Sequence, residues 1–186
     1  MKPLFALVVL VVALLLACGC TGTATEEAFD WFNRVVTSGK VKRKIEIKPM
    51  KTSSRSYAGG TGTTLRIANG DPARTIVHEL GHSLEELDQK VWSASRKFYA
   101  ERTKKDKIES LAKLTGKRGY GSEKTKKDKF LHPYMGKWET DATGQQAYTE
   151  LVSMGLEELY VDPVRLLEKD PEYFKWIVEV IHGVTA

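Results

Sequence analysis

Beyond residue 20 the chain contains no cysteine, and its only two, Cys18 and Cys20, stand too close for an easy mutual disulfide. A disulfide framework is thereby excluded, and the fold must be held by its core. Internal repeats are absent, which removes solenoid and propeller architectures. Histidine is scarce at four residues in 186, so any clustering of those four carries information. The densest basic tract, Arg102 to Lys129, has eleven Lys or Arg against four acids but a single aromatic, Tyr120, which makes it a solvated face and argues against nucleic acid as a partner. Acids gather downstream, ten against three bases from Glu139 to Glu179, so the chain is electrically polarised around a net charge of +5. An apolar fraction of 41% with 28% charged residues fits one globular domain with a sizeable core.

The first seventeen residues depart from that average. Leu4 to Ala17 is a fourteen-residue run without a polar side chain, following a single Lys2. It is shorter than the roughly 20 residues of a membrane span, so residues 1–17 are expected to be a signal peptide. The run ends in Leu15-Leu16-Ala17-Cys18, which resembles the lipobox of bacterial lipoproteins. That resemblance implies acylation of Cys18, with Cys20 as the second candidate, and an exported protein held at the membrane surface of the cell envelope by its lipid. A secreted protein whose signal is simply cut away is the alternative. Residues 18–25 then form a polar tether, and residues 26–186 the domain.

Periodicity organises the rest. Ala28, Phe29, Phe32, Val35 and Val36 share one stripe of an opening helix over Glu26 to Thr37. Lys44 to Lys48 and Thr63 to Ala68 alternate as strands, separated by a Ser- and Gly-rich stretch, with the second expected at a sheet edge. Asp71-Pro72 signals a helix start, with Asp71 as cap, and Ile76, Val77, Leu80, Leu84 and Leu87 carry that helix to about Gln89. Further helices are expected over Val91 to Leu114 and Gln145 to Tyr160, with an irregular excursion over Arg118 to Thr143 between them. Asp162-Pro163 should break the Gln145 helix, and Asp170-Pro171 should start a last one with Tyr173, Phe174, Trp176, Ile177, Val180 and Ile181 on its buried face.

The chemistry concentrates in His78-Glu79-Leu80-Gly81-His82. On a helix, residues four apart lie about 40° apart around the axis, so both imidazoles can reach one ion. Glu79, turned about 100° from His78, can take a proton from a metal-activated water without being a ligand. One Zn2+ is the expected cofactor, with His78 and His82 as ligands and Glu79 as general base. A third ligand must come from elsewhere. In the metzincin pattern a Gly follows three residues on and the ligating His six residues on, where this chain has Glu85 and Asp88, which disfavours that family.

Thr149-Glu150-Leu151-Val152-Ser153-Met154 resembles the second motif of gluzincins, the thermolysin-like zincins, with Met154 where that motif carries Asp. The resemblance implies Glu150 as third ligand, Ser153 as its close-packed small neighbour, and an α+β, zincin-like fold: a few-stranded sheet on the metal helix with further helices. It also implies a zinc metallopeptidase acting on a peptide or protein substrate. Phe130 to Lys137, Thr149 to Glu157 and Asp170 to Phe174 are also similar to zincin-like domains of tailed phages and mobile elements, from which the signal-type N-terminus departs. Glu157, two turns after Glu150, is the alternative third ligand. Glu85, within about 20° of His78 on the helix wheel, is a candidate to orient that imidazole. His132 and Tyr134 are candidates to donate to an oxyanion. His182 and the dispersed Trp31, Trp92, Trp138 and Trp176 read as structural. The other functional classes are a zinc-stabilised binding module without turnover and an envelope interaction protein.

Overall fold

The computed structural model describes residues 22–37, 45–59, 61–140 and 149–184. The proposed signal segment, Cys18 and Cys20 lie outside them. Among the described residues no helix is long and apolar enough to cross a membrane.

The architecture is mixed α+β, with seven α-helices and two small sheets among the described residues. Helix α1 (Gly22–Val35) buries Thr25, Ala28 and Phe32 against the core. It begins inside the stretch expected to be a tether, because Thr25 continues the buried stripe by one turn. The first sheet has the order β1-β3-β2: β1 (Glu46–Met50) runs parallel to β3 (Thr64–Ala68), and β2 (Tyr57–Gly59) pairs antiparallel on the other side. Thr64 to Ala68 is therefore the central strand rather than an edge. Thr64, Leu65, Ile67 and Ala68 are all buried, on both faces, whereas the three residues of β2 were too few to show alternation inside a Ser- and Gly-rich segment.

Helix α2 (Ala73–Leu87) presents Ile76, Val77, Leu80 and Leu84 to the core. Asp71 does not cap it; its carboxylate instead accepts the Ser56 hydroxyl, pinning the β2 approach to the head of the helix. Asp88 ends α2 and caps α3 (Gln89–Arg102), accepting from the amides of Lys90 and Val91. The helix expected over Val91 to Leu114 breaks after Arg102, where the Thr103 hydroxyl takes the Tyr99 carbonyl at 2.8 Å. The chain then forms β4 (Ile108–Ser110) and the short α4 (Leu111–Thr115).

The expected surface excursion is more ordered than its composition suggests. It holds β5 (Lys124–Lys126), a 3-10 turn (Pro133–Gly136) and β6 (Lys137–Trp138), and β4, β5 and β6 make a second antiparallel sheet. Buried Thr125 ties it together by donating to the Pro133 carbonyl at 2.6 Å. Arg102, first in the basic tract, is not solvated: it pairs with Asp128 and Asp170 between the rings of Phe98 and Phe130.

Helix α5 (Leu151–Val161) starts one residue after Glu150; residues 145–148 of the expected helix lie outside the description. Asp162-Pro163 ends that helix and Asp170 caps α7 (Pro171–Ile181), both as expected, while Asp162 also caps a further short helix, α6 (Pro163–Lys169), that was not expected. Tyr173, Trp176, Ile177, Val180 and Ile181 form the buried face of α7, with Phe174 half-buried.

The contact that positions the site is between α2 and α5. A Cβ on Gly81 would lie 2.5 Å from Ser153 Cα and 2.9 Å from its amide nitrogen, so the two backbones touch there. Gly81→Ala is accordingly expected to cost about 3 kcal/mol or more by forcing rigid backbones apart. A urea midpoint unchanged from wild type would contradict this contact.

Candidate metal centre

One face of α2 and the head of α5 meet at three side chains. His78 and His82 stand one turn apart, their ring centroids 4.9 Å from each other, and both are half-buried. Buried Glu150 places Oε2 3.4 Å from His78 Nε2 and 3.2 Å from His82 Nε2. The three candidate donor atoms all lie within 4.8 Å of one another, so this group could hold a metal ion.

The spacing tests the fit. A charge-assisted hydrogen bond between imidazolium and carboxylate prefers about 2.8 Å, shorter than either distance. A tetrahedral ion about 2.05 Å from each donor requires donor-to-donor edges of about 3.3 Å, which matches both. Two imidazole nitrogens and one carboxylate oxygen also form a donor set suited to zinc.

Neighbouring groups fix these donors. Glu157 Oε2 lies 3.1 Å from His78 Nδ1, which leaves Nε2 directed at Glu150. The alternative third ligand thus occupies the other nitrogen of the same ring and serves as its orienting carboxylate. Ser153 Oγ donates to Glu150 Oε2 at 3.0 Å, in the place the motif gave it, and Lys137 Nζ lies 3.6 Å from Glu150 Oε1. Burial opposes charge on both imidazoles, but hydrogen bonds to carboxylates prevail: His78 is pushed up to about 9 by Glu150 and Glu157, and His82 is raised by Glu150. Burial likewise opposes ionisation of Glu150, yet the two imidazoles hold it well below the usual carboxylate range.

Glu85 does not orient His78. Fully enclosed, its Oε1 accepts the hydroxyls of Ser95 on α3 and Thr149 beside Glu150. The helix wheel placed it correctly around α2, but three residues beyond His82 it faces α3 and the α5 approach. Burial pushes this carboxyl up to about 7. An acid whose folded value exceeds its unfolded value of 4.5 gives stability that is full below 4.5 and is lost as pH rises through 7. Glu85→Gln keeps an acceptor for both hydroxyls and has no charge to bury. It should flatten the stability profile between pH 5 and 8, gaining on the order of 3 kcal/mol at the upper end. Chemical denaturation of both proteins at the two pH values checks this, and parallel profiles would contradict it.

Glu79 is buried beside the centre, and its Oε2 accepts the Ala58 amide of β2 at 2.8 Å. It lines two open cavities of about 690 and 710 Å³ that flank His78 and together form one cleft. Tyr57 to Gly59 border the first cavity, so the edge strand of the cleft is β2 and not the Thr63 to Ala68 segment expected at a sheet edge. Tyr134 borders both cavities, and its hydroxyl accepts from Arg55 at 2.9 Å. Burial, then the charge of Glu150, pushes that phenol up to about 12, so it keeps its proton. His132 borders only the second cavity, and its Nδ1 accepts the Tyr134 amide, which makes it the cap of the turn that presents Tyr134. His182 closes α7 and lines neither cavity; Trp92 stands on the rim of the first.

Sequence reasoning missed Arg55 and Lys137, two among 29 basic residues with no local pattern to mark them. No protein-family model matches the chain, and comparison with curated proteins and with solved structures finds no significant match.

Proposed function

We propose that the protein is a zinc-dependent metallopeptidase, with His78, His82 and Glu150 as ligands and Glu79 as general base. The observation that carries this reading is the ion-sized spacing of the three donors beside a buried fourth carboxylate, in a cleft bordered by a strand edge. Bound there, zinc would lower the pKa of a water molecule towards about 7 and polarise a carbonyl oxygen. The protein's own groups do the rest. Glu79 has one oxygen held by Ala58 and one left to receive the proton of the attacking water, which it can return to the leaving amine. Tyr134, accepting from Arg55, has its own O–H to donate to the oxygen that gains charge during attack. Lys137, raised by Tyr134 and Glu150 despite burial, stays cationic at the same wall. An extended peptide can lie along the outer edge of β2 alongside this centre, where the Ala58 amide is already held by Glu79.

The apolar N-terminal run and Cys18 support export and lipid anchoring at a membrane surface, which leaves the cleft in water. The test of activity is hydrolysis of an unfolded protein such as casein, abolished by a zinc chelator and restored by added zinc. Hydrolysis indifferent to chelation would reject the reading.

A further inference from the structure

The two halves of the cleft carry different unspent charge. Arg74 stands one turn before His78 on α2, so Arg74, His78 and His82 fall at i, i+4 and i+8 along one stripe, about 6 Å apart per step. Lys117, just before the turn Arg118–Tyr120, lines the same second cavity as Arg74. Both cations are exposed, and neither is in an ion pair among the described residues. The acids lining that cavity already have partners: Asp71 the Ser56 hydroxyl, Glu79 the Ala58 amide, Glu123 Lys137, Glu157 His78 and Glu158 Arg165. The positive end of α2 also points to this side, without a side-chain cap to satisfy it. In the first cavity the unpaired charge is negative: among the described residues Glu86 has no ion-pair partner, and Lys137 is shared among Glu123, Glu139 and Glu150.

The direction of β2 gives this asymmetry a polarity. Ser54 lines only the second cavity, Arg55 and Ser56 line both, and Tyr57 to Gly59 line only the first, so the chain runs from the second cavity to the first. A peptide added antiparallel, the more stable pairing, runs the other way. Its C-terminal half then lies over Arg74 and Lys117.

We propose that Arg74 and Lys117 select substrates carrying a carboxylate on the C-terminal side of the cleaved bond. The proposal rests on the peptidase reading above. Both groups are exposed, so the attraction is moderate and screened by salt: together they should favour an anionic over a cationic residue about tenfold in kcat/KM at low ionic strength, less in about 0.5 M salt.

The test uses the full chain loaded with zinc and matched quenched peptides, amidated at the C-terminus, with Glu, Gln or Lys at the second residue after the cut. A fourth peptide, neutral and ending there in a free carboxylate, separates a terminal from a side-chain carboxylate: an equal gain assigns the terminus as a ligand too, and a gain confined to the Glu peptide assigns the side chain. Rates should fall in the order Glu, Gln, Lys for wild type and reverse in Arg74→Glu/Lys117→Glu. Fluorescence anisotropy of the same peptides on the Glu79→Gln protein should give the same order of Kd. Equal rates for Glu and Lys peptides, or an order unmoved by salt and by charge reversal, would overturn charge selection and leave the peptidase reading standing. Absence of cleavage of every peptide by zinc-loaded wild type would reject the peptidase reading, and equal Kd values would then reject the carboxylate site as well.

Discussion

Glu79→Gln is expected to lower kcat for peptide hydrolysis at least 10²- to 10⁴-fold while zinc content stays at the wild-type level. The substitution is nearly isosteric. Its amide oxygen can go on accepting the Ala58 amide, so the link between α2 and β2 survives, and the three donor side chains are untouched. What is lost is the capacity to receive a proton, because an amide oxygen is not basic at neutral pH. Glu79→Asp separates the two functions further: it keeps the base but withdraws it by one methylene, and should fall between wild type and Gln. Steady-state kinetics at saturating zinc, with metal content measured on the same samples, reads both quantities. Turnover retained in the Gln variant would show that Glu79 is only a tie to the edge strand.

Tyr134→Phe should cost about 10²- to 10³-fold in kcat with little change in KM, as expected for a donor whose partner develops charge only during attack. Arg55 donates to the phenol oxygen, so the remaining O–H is oriented by a cation rather than by water. Since the phenol is pushed up to about 12, its proton is present through neutral and moderately alkaline pH. Any fall in activity between pH 8 and 10 therefore belongs to another group, and the Phe variant should keep the wild-type shape of the pH profile at a lower level. A change confined to KM would make Tyr134 a substrate-binding wall instead.

The parts of this structure legible in the sequence are those with local causes. Asp162-Pro163 ends α5 and Asp170-Pro171 starts α7 because the cap and the fixed proline dihedral act within one turn, whereas the same Asp162 starting α6 was not foreseen. The spacing of His78 and His82 puts both rings on one stripe by helix geometry alone, and Glu150 was reachable through a motif that includes its small neighbour Ser153, whose backbone packs on Gly81. The errors came from tertiary context. A wheel drawn for α2 cannot tell that Glu85 faces Ser95 and Thr149 while Glu157, from another helix, reaches His78. Asp71 has the identity and position of a cap, yet Ser56, fifteen residues earlier, claims its carboxylate. Strands of two or three residues such as β2, β5 and β6 are too short for alternation to register, and they are held by pairings that only the folded chain supplies. Arg55 and Lys137 belong to the same class: their meaning is their distance from Tyr134 and Glu150.

The peptidase reading depends on His78, His82 and Glu150 acting as one ligand set. Metal analysis of the purified chain, wild type beside His78→Ala, Glu150→Ala and Glu79→Gln, tests this most directly. Close to one zinc per chain is expected in wild type and Glu79→Gln, and little or none in the other two. A folded wild type that takes up no zinc, or a Glu150→Ala variant that binds it as tightly, would contradict the site.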